Sequence, residues 1–333
     1  MLICPARVKT VAIVGAGMAG VSCAQTLAAQ GYSVRLFDKG RGPGGRMATR
    51  RIETAQGDAH FDHGAQYFTV RDPGFHAVVK DWQSRGLAEP WPLAGPDAWV
   101  SKPSMKAVVG DFSCRHDVFY GEQVRGLARA EQGWQVITSA GSHGPFDAMI
   151  VAVPAEQAAP LLALHDLEIA QKAMHIRSQP CWAAMFAFAA PLAVSQDIIR
   201  GQGSICWAAR NNAKPGRSGP EAWVVQASGQ WSAAHIDDGK DRVLAELACI
   251  FEREIAMPLP RILASSVHRW RFALSAGAQI GALWNADIRL GACGDWLLGP
   301  RVECAWLSGK ALADLIGPSA NQDRTSPLKS RGV

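Results

Sequence analysis

Near its start the chain runs from a strand-like pattern to a helical one and back. Residues 11–14 form a short β-branched apolar run that stops at Gly15, as a buried parallel strand does. Residues 18–30 then carry apolar side chains at Val21, Ala24, Leu27 and Ala28, which predicts a helix with Gly31 as its C-cap. Residues 33–38 return to a strand pattern with an acid at the end, completing a β-α-β unit. Beyond it, 39–51 is rich in Gly and Arg and reads as a loop opening a short helix, and 64–70 as a further strand or extended segment. The stretch 117–153 is β-rich: the Val124 region, a strand at 134–138, a turn at 141–144, and an apolar run at 149–153 that Pro154 ends. Residues 155–288 differ in texture, with Trp-bearing strands at 181–188 and 222–226, a polar loop at 211–220 and a helix at 240–255. A strand at 288–293 and a helix at 302–316, stopped by Gly317 and Pro318, precede a polar tail at 319–333.

Composition narrows the class. A chain of 333 residues exceeds the size at which one hydrophobic core stops growing, and 48% hydrophobic with 19% charged residues is ordinary globular usage. The net charge of +5 is scattered, which argues against nucleic-acid binding, although Arg41, Arg46, Arg50 and Arg51 cluster in a way that suits a bound anionic cofactor. The 8 cysteines include no C-x-x-C pair, so reduced thiols and a cytoplasmic location are expected. Arg7 and Lys9 interrupt what would otherwise resemble a secretory signal, and no apolar run is long enough for a membrane span.

Gly15-Ala16-Gly17-Met18-Ala19-Gly20 is a G-x-G-x-x-G sequence set between strand and helix. Gly15 permits the tight turn, Gly17 lets backbone approach a pyrophosphate, and Gly20 lets the helix pack closely on the sheet. Met18 and Ala19 open the helix whose N-terminus favours an anion, and Asp38, followed by Lys39, is placed to accept from a ribose diol. The second Gly/Arg loop, Gly40 to Thr49, points to an extended cofactor, FAD rather than NAD. There Arg46 would pair with phosphate, while Gly44 and Gly45 let backbone lie against the flavin side.

These segments resemble the amine-oxidase and renalase group of flavoproteins. The resemblance rests on the opening motif, on Arg41-Gly42-Pro43-Gly44-Gly45-Arg46-Met47, on Phe61-Asp62-His63-Gly64-Ala65-Gln66-Tyr67-Phe68 (most similar to bacterial renalase-like proteins), and on Arg269-Trp270-Arg271-Phe272-Ala273 and Gly294-Asp295. It implies an α/β, two-lobed fold, a Rossmann-type FAD domain with a parallel sheet plus a β-rich substrate domain. The expected division gives 1–75, 111–158 and 286–318 to the cofactor, 76–110 and 159–285 to the substrate, and 319–333 to a flexible tail. It also implies that Val124 bonds adenine through its backbone and that Asp295, after Gly294, lies against the pyrophosphate or ribityl chain. The helix starting at Val302 would point at the pyrimidine ring, where a fixed partial positive charge suits the electrons arriving there. Cys293 ends a buried strand, so the FAD is expected to be noncovalent.

On the substrate side His63, Gln66, Tyr67 and Trp270 are the expected catalytic residues, with Trp207 and Arg271 as pocket-wall candidates. His60 and His63, three apart on a strand, would face opposite ways, so no metal is expected. No hydrolase motif is present. The resemblance implies a flavin oxidase that takes hydride from an isomeric dihydro-NAD(P) and passes electrons to O₂. An FAD-dependent amine oxidase, or a flavin-binding protein without turnover, are the alternatives. The oligomeric state is not legible.

Overall fold

The computed structural model describes residues 9–201 and 203–317; Cys4, Arg7, Pro318 and the expected tail at 319–333 lie outside the described residues. A parallel sheet is built on β1 (Thr10–Val14), which pairs in parallel with β2 (Ser33–Asp38) on one side and Ala148–Val151 on the other. Asp117–Tyr120 extends it beyond β2, Leu290–Ala292 extends it beyond Ala148–Val151, and Leu283–Asn285 closes that edge antiparallel.

Period-two alternation explains why β1 is apolar from Val11 to Val14. Val11 and Ile13 face one core with Val21 and Leu27 of α1 (Met18–Ala29) and Leu312 of the Val302–Ile316 helix. Ala12 and Val14 face the other, with Met149, Val151 and Trp134. A parallel strand covered on both faces has no solvent side to leave polar. The helices Ala155–Leu162 and Leu167–Met174 bury Leu162, Ile169 and Ala173 in this second core. α1 and the Val302–Ile316 helix cross so closely that a Cβ on Gly309 would lie 2.2 Å from the Ala19 carbonyl oxygen.

A second sheet carries the Trp-bearing strands in the order Ile198–Ile199, Ile205–Arg210, Glu221–Ala227, Ser178–Phe188, Ile262–Ser275. Trp182, Phe186 and Val225 on one face meet Val243, Leu247 and Phe251 of the Lys240–Glu254 helix. Met185, Ala187 and Val224 on the other meet Ala59, Phe61 and Ile52 of an antiparallel hairpin, β3 (Thr49–Thr54) and β4 (Gly57–Asp62).

That hairpin corrects the sequence reading, which gave 39–51 to a loop and short helix: only Gly45–Met47 is helical, a single 3₁₀ turn, and β3 begins at Thr49. The extended stretch expected at 64–70 holds a strand only at Phe68–Thr69, and most of the turn expected at 141–144 is strand instead, within Ser142–Phe146. The strand expected at 288–293 is Leu290–Ala292. β4 ends at Asp62, so strand alternation does not govern His63. The described residues contain no helix long and apolar enough to cross a membrane.

Candidate active site

The glycine turn is built as the spacing requires. Gly15 sits at φ +104°, where a Cβ would lie 2.6 Å from the Ala152 carbonyl oxygen, and a Cβ on Gly20 would lie 1.9 Å from the Gly15 oxygen. Gly17 differs: at φ −77°, ψ −179° its backbone suits any residue, and a Cβ there meets no atom within 4 Å. It is the N-cap of α1, with no side-chain cap and no acid in the first turn. The first helical N–H groups are therefore left facing open space, a cradle for an anion with the macrodipole behind it. Gly45 closes the opposite side, its Cβ position 3.4 Å from the Gly17 Cα.

Asp38 braces this turn. Its carboxylate accepts from the Ala16 N–H at 2.7 Å and the Gly40 N–H at 2.7 Å, leaving lone pairs for a diol. The backbone of 121–122 bonds to Gly40 and Asp38, which brings the strand beginning at Val124 beside them; Lys39 and Arg41 are exposed next to this edge. On the far side the Arg46 guanidinium makes a two-pronged pair with Asp295, at 2.8 and 2.5 Å, and donates to the Ala273 carbonyl. Met47 is buried beneath, and Gly294 donates its N–H to Ser308. Val302 opens the helix seven residues after Asp295, with Glu303 holding the Arg71 and Asp72 N–H groups.

A cradle that a side chain would fill, an uncapped helix N-terminus, and the acid and guanidinium groups beside it are what an extended dinucleotide such as FAD needs. The residues present fit that group. Cys293 is fully buried, and its thiol faces the Ala19 carbonyl and the Cys23 thiol.

Residues 62–67 lie across the second sheet, and register shows how. Trp207 stands opposite Gln226, Gln226 opposite Ala183, and Ala183 opposite His268, so these four share one face. His63 packs on His268 and stacks on Trp270, at ring separations of 4.9 and 5.3 Å, while the Trp270 indole N–H donates to the His63 carbonyl. The Gln226 amide donates to the Gly64 carbonyl at 2.7 Å, and Tyr67 packs on Trp207 at 5.5 Å. Gly64 is pressed on the Arg46 carbonyl, which ties this strip to the cofactor side. His63, Gln66, Tyr67 and Trp270 are thus brought together. Arg271 is not: strand alternation turns it outward to pair with Asp237, so its place as pocket wall is corrected.

The sequence reading missed the ions beneath the strip. Asp62 and Lys214 are wholly buried and paired at 3.3 Å, and Arg217 meets the same carboxylate at 2.8 Å. Thr49 and the Met105 N–H also donate to Asp62, and Lys214 donates to Gln66 at 3.1 Å. The Gln66 amide also donates to the Asp62 carbonyl, so its side chain is spent on holding the strip. Burial works to raise the Asp62 carboxyl, but Lys214 and Arg217 hold it well below the usual range. Burial lowers Lys214 to about 8 against the pull of Asp62. His63 is pushed down to about 4, by burial first and then by the Arg50 guanidinium. His268 falls to about 3 through burial, His63, Arg50 and Lys240. Both imidazoles are therefore neutral at pH 7.

Residues 13–82 match the NAD(P)-binding Rossmann-like domain family, and residues 97–316, more than half the chain, match the flavin-containing amine oxidoreductase family. A hydroxyneurosporene desaturase from Rubrivivax gelatinosus is 43% identical over 98 residues, a match covering 28% of this chain and only 18% of that protein. Among solved structures, a provisionally assigned protoporphyrinogen oxidase from Exiguobacterium sp. 255-15 superposes with a TM-score of 0.72 at 12% identity, over 92% of this chain and 98% of that one. Cyclohexylamine oxidase from Brevibacterium oxydans IH-35A gives 0.65 at 12% identity, over 93% and 98%. At such identities the likeness establishes the fold.

Proposed function

Because this chain belongs to the flavin-containing amine oxidoreductase family, and is thereby an FAD-dependent oxidoreductase, we propose that it is an oxidase for a dihydronicotinamide-type donor, an isomeric dihydro-NAD(P), with O₂ as acceptor. In this reading Gly15, Gly17, Met18, Ala19 and Gly20 hold the pyrophosphate, Asp38 and Lys39 the adenosine ribose, and Val124 the adenine. Arg41, Gly45, Arg46, Met47, Gly294 and Asp295 hold the remainder, and Val302 starts the helix aimed at the flavin. FAD held by these residues would supply the two-electron chemistry, taking a hydride from the donor and passing its two electrons and proton, with one further proton from solvent, to O₂ as H₂O₂. The cofactor half then includes the helices Ala155–Leu162 and Leu167–Met174, and the substrate half begins near Ser178.

One observation carries the choice of donor: no carboxylate or imidazole of the strip is a free base of useful strength, and the one amine beside it, Lys214, is held by Asp62 and Gln66. The Asp62 carboxylate is taken by Lys214, Arg217, Thr49 and Met105, and Asp295 by Arg46. His63, at about 4, is too weak a base to deprotonate an ammonium group near neutral pH. A donor that is already electron-rich needs no such proton removal; what it needs is orientation, and His63, Tyr67 and Trp270 supply it as ring surfaces. Family membership favours a second reading, an amine as donor. Anaerobic stopped-flow mixing with each class decides between them. Rapid bleaching of the band at about 450 nm by dihydronicotinamides is expected, and bleaching by amines alone would overturn the choice.

A further inference from the structure

Five indoles in this protein donate to an acceptor within it. Trp134 donates to the Ile288 carbonyl, Trp182 to that of His235, Trp223 to Glu221, Trp270 to that of His63, and Trp296 to that of Val153. Trp91, Trp207 and Trp82 do not, although their Nε1 atoms are shut off from solvent. Trp82 lies among Phe68, Phe75 and Phe112, a hydrocarbon cluster. Trp91 and Trp207 lie elsewhere, 2% and 7% exposed, 6.4 Å apart, and both against Tyr67 at 6.4 and 5.5 Å. Two idle donors side by side, next to a residue of the candidate active site, mark a place where an acceptor is missing.

The charges nearby say what kind. The Arg200 guanidinium stands 4.5 Å from the Trp207 ring centre, and the Lys214 ammonium 5.5 Å from that of Trp91. Arg200 bonds the Ala94 carbonyl and pairs with no carboxylate among the described residues. Each indole thus already has a cation over its face, which repels an ammonium group instead of caging it. We propose, building on the flavin-oxidase reading, that Trp91 and Trp207 form a subsite for oxygen acceptors on the substrate, a carboxylate or carboxamide on a planar ring, with Arg200 supplying positive charge and Tyr67 the adjoining surface.

The test titrates the purified holoenzyme with benzoate, benzamide and benzylammonium. Binding is followed both by the shift of the flavin band and by calorimetry, which needs no flavin. Benzoate and benzamide are expected to bind at least about tenfold more tightly than benzylammonium. Trp207→Phe and Trp91→Phe, which keep a ring and remove the donor, should each weaken benzoate about tenfold; Arg200→Gln should weaken benzoate and spare benzamide. Benzylammonium binding as tightly as benzoate in the unaltered protein overturns the proposal whether or not the variants fold. So do folded Trp→Phe variants with unchanged affinities. Colourless protein that still binds benzoate by calorimetry would remove the flavin reading and keep the subsite.

Discussion

Replacing Gly17 by valine separates the cradle from the fold. The backbone at this position is extended, φ −77°, ψ −179°, and an added Cβ meets nothing within 4 Å, so the folded backbone is compatible with a side chain here. Valine is a poorer N-cap than glycine, by up to about 1 kcal/mol, and restricts the unfolded chain by about 0.4–1 kcal/mol. The two nearly cancel, and the flavin-free proteins should melt within a few degrees of each other. The cofactor has no such escape, because the side chain stands where the pyrophosphate would meet the helix N–H groups. Two hydrogen bonds to a charged acceptor are worth about 1.5–3 kcal/mol each, so a loss of about 3–6 kcal/mol, roughly 10²- to 10⁴-fold in Kd, is expected. The assay is the ratio of flavin to protein absorbance after purification, with FAD titration of stripped protein. Gly20→Ala is the contrast: its Cβ would sit 1.9 Å from the Gly15 oxygen, so it should lose fold and flavin together. Normal flavin occupancy in the Gly17→Val protein would refute the placement.

Asp38→Ala should weaken FAD by about 1–3 kcal/mol, since it removes the brace between Ala16 and Gly40 as well as a ribose acceptor; equilibrium dialysis would detect it. Tyr67→Phe should retain flavin and slow its reduction, and an unchanged stopped-flow rate would remove the hydroxyl from the chemistry. Asp62→Asn should destabilise by about 3–5 kcal/mol in urea unfolding, because it strands Lys214 and Arg217 in a dry interior. Acid should destabilise above the carboxylate range. Unfolded histidine takes a proton near 6.5 while folded His63 does so only near 4, so between those values the unfolded chain holds more protons and stability falls as pH drops. A melting temperature flat from pH 6.5 to 4.5 would contradict this, and His63→Gln should flatten part of the slope.

The β-α-β unit was legible because each of its marks is local: an apolar run, glycines at fixed spacing, an acid at a strand end. The helix at 302–316 was readable to the residue for the same reason, periodicity bounded by a glycine. The β3–β4 hairpin was not. Its sequence alternates Arg50, Ile52 and Thr54 against Arg51 and Glu53, and arginines at strand positions read as loop until the second sheet that Arg50 and Ile52 lean on is known. Lys214 and Arg217 fell within a polar loop because lysine is almost never buried without a partner, and their partner lies about 150 positions earlier. His268 could have been found by period two from Trp270, and the same rule would have removed Arg271.

Distance along the chain also bears on how the proposed cofactor site comes into being. Its floor is the Gly15 turn, seated on the Ala152 carbonyl; its wall is Arg46, locked to Asp295 across 249 positions; its link to the substrate strip is Gly64, pressed on the Arg46 backbone. None of these contacts is between near neighbours in sequence, and the parallel sheet pairs Leu290–Ala292 with Ala148–Val151, which lie far apart along the chain. No fragment holding the glycine motif alone has the acid that orients Arg46 or the strand that backs the turn. A ligand that binds only the assembled site adds its binding free energy to the folding of every segment contributing to it. Flavin should therefore protect the Asp295 region and the Val302–Ile316 helix from unfolding as strongly as it protects the motif itself.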